Sequence, residues 1–279
     1  MSAPLCADLQ GILARWQARG KRTVSLSPGV AEAFFRREPA RSLAPPLTPP
    51  TKPAAPSPRP PVRQAVPAPA PRPAPVLSPV TANAVAAMGW EELAAAVADC
   101  QGCPLCAGRT RTVFGAGDTR ARLMFIGEGP GYDEDQQGIP FVGKAGQLLT
   151  KMIQAMQFAR EEVYIANIVK CRPPENRNPE PGEAAACLPY LRRQIELIRP
   201  EVIVLLGAVP LRELIGGRSI TRERGQWREY EGIPVMPTFH PSYLLRVPTA
   251  KRDVWADLQQ VMLRLGKNPE DTQARRQAH

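Results

Sequence analysis

Acidic residues are missing from one long stretch of this 279-residue chain: from Pro39 to Pro79 there is no Asp or Glu, against five basic residues (Arg41, Lys52, Arg59, Arg63 and Arg72). The same 41 residues hold 16 of the chain's 33 prolines. Each proline removes a backbone donor and fixes φ, so helix and sheet are excluded and a disordered, polyproline-like spacer is expected. Also missing is any apolar run near ~18 residues, which excludes a membrane-spanning helix. The N-terminal residues lack the compact apolar core and small-residue cleavage site of a secretory signal. A soluble, cytoplasmic, nucleoid-associated protein is expected, with no membrane partner. Histidine is scarce, with only His240 and the C-terminal His279.

Around the spacer the chain divides into a short helical segment (1–38), the basic Pro/Ala-rich linker (39–85), a globular domain (86–266) and a polar tail (267–279). The net charge of +10 divides unevenly. Residues 1–80 carry 11 Lys and Arg against 3 Asp and Glu, leaving 25 against 23 for the remainder. A basic chain suggests a nucleic-acid partner, but the domain itself must bind with locally arranged charge. Leu5, Leu9, Ile12, Leu13 and Trp16 form one helical stripe, too short to bury itself. It either packs on the domain or docks on a protein partner. A monomer is expected.

From residue 84 short apolar runs alternate with longer periodic ones. Strands are expected at 123–126, 163–168, 202–206 and 233–239, and helices at 90–98, 145–158, 182–198, 209–215 and 254–265. Near-continuous apolar strands alternating with helices predict an α/β fold, a three-layer α/β/α arrangement around a mainly parallel sheet of about four strands. In such sheets ligands bind beyond the carboxyl ends of the strands. There the sequence places Gly127–Gly131, Asn167, Gly207 and His240.

Six cysteines in a reducing compartment point to metal or cluster ligands before disulfides. Cys100 and Cys103 form a C-x2-C pair, while Cys171 and Cys187 lie 16 apart. Four thiolates suit zinc or a 4Fe-4S cluster equally. Cys106 extends the first pair towards a ferredoxin-like run, but Thr110 stands where its fourth cysteine belongs. Five cysteines in the domain leave one spare for four places. Unconnected buried thiols are the bland alternative.

Gly127-Glu128-Gly129-Pro130-Gly131 follows a buried strand and lets backbone N–H groups approach a ligand. It is neither a Walker loop nor a dinucleotide fingerprint. A structural turn explains its glycines but not Asp133, Glu134 and Asp135 directly after it. Phe141 sits among residues that break helices and strands, and Asn167 ends an apolar strand where a bare amide is costly. A flat ring, an amide and an imidazole together are what pyrimidine recognition requires: a stacking face, a reader of the O4/N3–H edge and a donor to O2.

The C-x2-C pair, GEGPG at 127–131, GIPFVGKAGQLL at 138–149, NIVKCRPPENRNP at 167–179, Cys187 and HPSYLLR at 240–246 together resemble the iron-sulfur uracil-DNA glycosylases, family 4 of that superfamily. The resemblance covers residues 88–266. It implies a DNA repair enzyme that flips uracil out of DNA and hydrolyses its N-glycosidic bond. A structural 4Fe-4S cluster is implied on Cys100, Cys103, Cys171 and Cys187, with Cys106 at a position the family varies. It also implies a uracil pocket of Glu128, Gly129, Phe141, Asn167 and His240, with Asp135 at an acidic position close to the sugar. Glu128, Asp135 and His240 are then the catalytic candidates, and Gly129 stands where other branches carry a water-activating Asp.

Hydrolysis develops negative charge on uracil O2 and positive charge on the deoxyribose, so His240 suits the first and Glu128 or Asp135 the second. Leu244 and Leu245 are expected to fill the vacated base stack and Arg246 to hold phosphate, with ordinary core packing the alternative for the leucines. Lys170 and Arg172 are expected to add positive charge facing DNA. The rival readings are a non-catalytic DNA-binding or polymerase-associated module, and a redox or zinc protein whose cysteines are the function.

Overall fold

A computed structural model describes residues 82–271. Expectations for residues 1–81 and for the end of the tail lie outside the described residues. Six strands form one sheet: β1 (Ala116–Gly117), β2 (Leu123–Gly127), β3 (Tyr164–Asn167), β4 (Val202–Leu206), β5 (Arg228–Tyr230) and β6 (Ile233–Thr238). Their order is β1-β3-β2-β4-β6-β5. β3, β2, β4 and β6 pair in parallel, matching the four expected strands, and β1 and β5 add antiparallel edges. The edges escaped sequence reading because two or three residues carry no periodicity.

The helices are α1 (Ala82–Ala86), α2 (Trp90–Ala98), α3 (Tyr132–Gln137), α4 (Lys144–Ala155), α5 (Pro181–Ile198), α6 (Ala208–Ile215), α7 (Ile220–Glu223), α8 (Pro241–Arg246) and α9 (Lys251–Arg264). Residues 82–85, assigned to the linker, are helical instead. Val85 is buried in the core and α1 packs on α5, so burial of one apolar side chain extends the domain upstream.

Strand side chains alternate between two cores. Met124, Ile126, Ala166, Ile203 and Leu205 face a core completed by α1, α2, α5 and α6. Leu123, Phe125, Ile165, Val204 and Leu206 face another, filled by α4, α8 and α9. These two cores make the three layers. β2 connects outward to β3 through α3 and α4, and β3 connects back across it to β4 through α5. Connections that part in opposite directions open a crevice at the carboxyl ends of these strands.

Candidate active site and thiol cavity

β2 ends at Gly127, paired with Asn167 at the end of β3. A Cβ on Gly127 would lie 2.5 Å from Asn167 Oδ1 and 2.6 Å from Phe141 Cζ, so glycine lets both side chains close over the strand end. Asn167 is 1% exposed and its Oδ1 has no hydrogen-bond partner. A buried, unpaired acceptor costs about 1–3 kcal/mol. The side chain lines an open cleft of about 570 Å³, from which a ligand donor can reach it.

Phe141 lines the same cleft with φ at 54°, a left-handed conformation that costs a bulky residue about 1–3 kcal/mol. Its surroundings impose it. Arg160 donates to the Pro140 carbonyl (2.6 Å), while Val142 N and Gly143 N donate to Glu134 Oε1 (3.0 and 3.1 Å). Glu134 Oε2 accepts from Gly131 N (3.0 Å), so one carboxylate ties the glycine-rich loop to the Phe141 loop.

His240 caps α8, and its ring centroid is 5.5 Å from that of Phe141. Nδ1 accepts from Ser242 N at 3.1 Å. With that nitrogen an acceptor, a neutral ring carries its proton on Nε2, the tautomer able to donate to a ligand oxygen. Burial, with the positive charge of Arg246 adding to it, pushes the imidazole pKa down to about 4. The ring is therefore neutral at pH 7. Gly207, at φ 101°, makes room beside it: a Cβ there would lie 3.1 Å from His240 Cβ. Glu128 and Gly129 belong to the same wall, with Asp133 and Glu134 beside them. Burial raises the Glu128 carboxyl pKa, against an opposing pull from Arg212. Lys144, Arg177 and Arg246 add cations to the cleft, although Arg177 is also paired with Glu183 at 2.7 Å.

Three expected residues stand elsewhere. Asp135 is 2% exposed and outside the cleft wall. Its Oδ1 accepts from Thr110 N (2.8 Å) and Arg111 N (3.4 Å), so it fastens the preceding loop and does not line the cleft. Lys170 is 1% exposed, with Nζ donating to Asn167 O (3.0 Å) and Gln194 Oε1 (2.6 Å), so it cannot reach a phosphate. Leu244 is 1% exposed within the core, whereas Leu245 is 47% exposed. Successive helical residues diverge by about 100°, which explains why one of the pair is core and the other surface. Arg246 is exposed and lines the cleft, and Arg172 is half-buried.

Behind Asn167, Cys100, Cys103, Cys106, Cys171 and Cys187 line a second, narrow cavity of about 10 Å³. Among the described residues no three His, Cys, Asp or Glu side chains are grouped to hold a single metal ion. A cluster of several irons and sulfides is held by thiolates set wider apart, and five thiols around one cavity are the donor set for it. Sulfur already receives donors: Gly102 N to Cys100 Sγ (3.4 Å), Lys170 N to Cys187 Sγ (3.3 Å) and Arg109 Nη1 to Cys171 Sγ (3.2 Å). Two cations, Arg109 and Lys170, offset the negative charge of bound thiolates, and the buried Tyr190 hydroxyl in the wall lacks a hydrogen-bond partner.

Sequence reasoning missed the bracing by Glu134, the tautomer set by Ser242, and the roles of Arg109 and Tyr190. Glu134 was visible as an acid after the glycines and Ser242 in the His-Pro-Ser turn. Nothing in the sequence marks Arg109 or Tyr190.

The model of the uracil DNA glycosylase superfamily matches residues 114–259. A type-4 uracil-DNA glycosylase of Thermotoga maritima is 52% identical over 153 residues, 54% of this chain and 80% of that protein. Those of Saccharolobus solfataricus and Sulfurisphaera tokodaii are 44% and 42% identical over 183 and 181 residues. These matches cover 62% and 61% of this chain and 85% and 82% of the two relatives. The cleft at the strand ends and these likenesses agree, and the chain belongs to the type-4 uracil-DNA glycosylases.

Proposed function

We infer that this protein excises uracil from DNA by hydrolysing the N-glycosidic bond and leaving an abasic site. The observation that carries the reading is the buried, unpaired Oδ1 of Asn167 at the floor of the cleft. Uracil N3–H is the donor it lacks, and the amide nitrogen of the same side chain suits O4. Cytosine offers no donor at N3 and an amino group in place of O4, so it mismatches both.

The base leaves its stack at a cost of a few kcal/mol and packs on the Phe141 ring. As the bond between C1′ and N1 breaks, its electron pair moves onto the base and charge builds on O2. His240 Nε2–H stabilises that charge, and neutrality suits it, since a neutral donor need not lose its proton to the leaving base. Water adds its oxygen to C1′ and gives up a proton. Of the carboxylates in the cleft wall, Glu128, Asp133 and Glu134, the last is held by backbone N–H groups, and Glu128 is assigned to the positive sugar and that proton, a role Asp135 outside the wall does not share. Gly129 supplies backbone only. Leu245, without Leu244, is the wedge into the vacated stack, and Arg246 and Arg172 are the phosphate contacts.

The thiol cavity is assigned to a 4Fe-4S cluster held by Cys100, Cys103, Cys171 and Cys187. Bound there, it would cross-link the segment after α2 to the loop after β3 and to α5, and no step of the reaction passes through it.

The test is incubation with a uracil-containing oligonucleotide followed by alkali. Strand cleavage at uracil, and none at thymine or cytosine, is expected. No product in any sequence context or strandedness would favour a non-catalytic DNA-binding module.

A further inference from the structure

Large apolar side chains exposed among the described residues are Tyr132, Ile139, Leu245 and Leu263, and only Tyr132 belongs to the cleft wall. Tyr132 opens α3 and is 58% exposed. Its ring is held in place: the Arg172 guanidinium lies over it, 5.1 Å from the centroid. Arg172 is itself aimed by Asn176, whose Oδ1 accepts from Nε at 2.7 Å. No hydrogen bond engages either Nη of Arg172 among the described residues. Cation and ring thus fix each other, and both keep unused capacity beside a cleft wall that also carries Lys144 and Arg246.

A π-face with a cation against it matches a nucleotide, which offers a flat base and an adjoining phosphate. We propose that Tyr132 and Arg172 form a second subsite that takes the nucleotide next to the extruded uracil, its base on the ring and its phosphate on the free Nη groups. The proposal rests on the uracil-excising reading. It has a consequence for strandedness. In a single strand the neighbouring base is free to swing onto the ring, whereas in a duplex it remains paired and stacked. The subsite therefore favours single-stranded substrate.

The probe is an oligonucleotide with an uncleavable tetrahydrofuran abasic analogue and a fluorescent adenine analogue beside it, used single-stranded and as a duplex with the full-length protein. Tyr132→Ala should weaken single-strand affinity roughly 5-fold to 100-fold and duplex affinity by about twofold or less. Its complex should also be brighter than the wild-type complex, because the fluorescent base loses its stacking partner. Tyr132→Phe should bind like wild type. At so exposed a position the melting temperature should not move. Arg172→Ala should lower single-strand affinity and flatten its salt dependence, as loss of a phosphate contact requires. Equal loss on both strand forms, unchanged affinity, or unchanged fluorescence with the adenine analogue on either side would overturn the subsite. Uracil excision by wild type is measured alongside. Its absence defeats the glycosylase reading, while normal excision with an indistinguishable Tyr132→Ala variant defeats the subsite alone.

Discussion

The cleft at Asn167 and the thiol-lined cavity at Cys171 lie four residues apart in sequence, yet they are constructed on opposite rules. The cleft is about 570 Å³, open and edged with both cations and carboxylates, and its floor carries an acceptor with nothing to accept. The thiol cavity is about 10 Å³, and three of its sulfurs already receive N–H donors from the chain. A site that exchanges its ligand at every turnover leaves valences unpaired and reachable. One that keeps its ligand supplies the partners in advance. Lys170 stands between them, with its backbone N–H on Cys187 Sγ and its Nζ on the Asn167 carbonyl.

The largest effect expected from separating the two sites is on excision. His240→Ala should slow single-turnover uracil release about 100-fold to 1,000-fold, the usual loss for a donor that meets developing charge. Asn167→Asp should also impair it, because a carboxylate cannot donate to O4 and repels it. Neither should change iron content, measured by colorimetric assay on anaerobically purified protein. Iron lost together with activity would mean that the cleft and the cavity form one unit.

The next effect concerns the cavity. Cys187→Ser should abolish cluster iron, the broad absorption at roughly 400 nm, and part of the thermal stability, since a bound cluster contributes its binding energy to folding. Cys106→Ser should retain all three. Cys106 lines the same cavity, so the reverse result would put it among the four ligands.

Lys170 tests the join. Lys170→Met leaves Gln194 Oε1 and the Asn167 carbonyl without their donor, at a cost of about 1–3 kcal/mol for each unpaired group. Urea unfolding should register that loss, and adding Gln194→Leu should deepen it, because the Gln194 amide nitrogen also donates to the Phe114 carbonyl and the Tyr164 hydroxyl, both at 3.0 Å. A double variant no less stable than Lys170→Met would mean that those two acceptors find other donors.

How far the sequence could be read follows the same division. Apolar runs identified the four central strands because burial on both faces demands them, and Gly127, Asn167, Phe141 and His240 fell at strand ends where the topology opens a crevice. The short edges β1 and β5 carried no such pattern. Charge misled where burial decides. Lys170 reads as a surface cation until Gln194, 24 residues away, turns out to hold it. Asp135 and Glu134 are neighbours of like chemistry, and only the backbone amides around each show that one fastens a distant loop while the other braces the cleft. Leu244 and Leu245 differ by a single helical step.

The smallest effect, and the most direct measure of how dry the cleft floor is, comes from protonating His240. Its folded pKa of about 4 lies below the ordinary 6.5, so as pH falls through that interval the unfolded chain takes up a proton that the folded chain refuses. More protons bound in the unfolded state means that stability rises with pH across the interval. For this group the slope is at most about 1.4 kcal/mol per pH unit and vanishes above pH 6.5. Denaturant unfolding of wild type and His240→Gln at a series of pH values isolates it, since the variant lacks the titrating ring. Wild type should lose stability relative to the variant between pH 6.5 and 4 and then run parallel to it. Parallel curves throughout would mean that solvent reaches the imidazole as freely in the folded as in the unfolded chain. His240 would then owe nothing to burial for the strength of its hydrogen bond to O2.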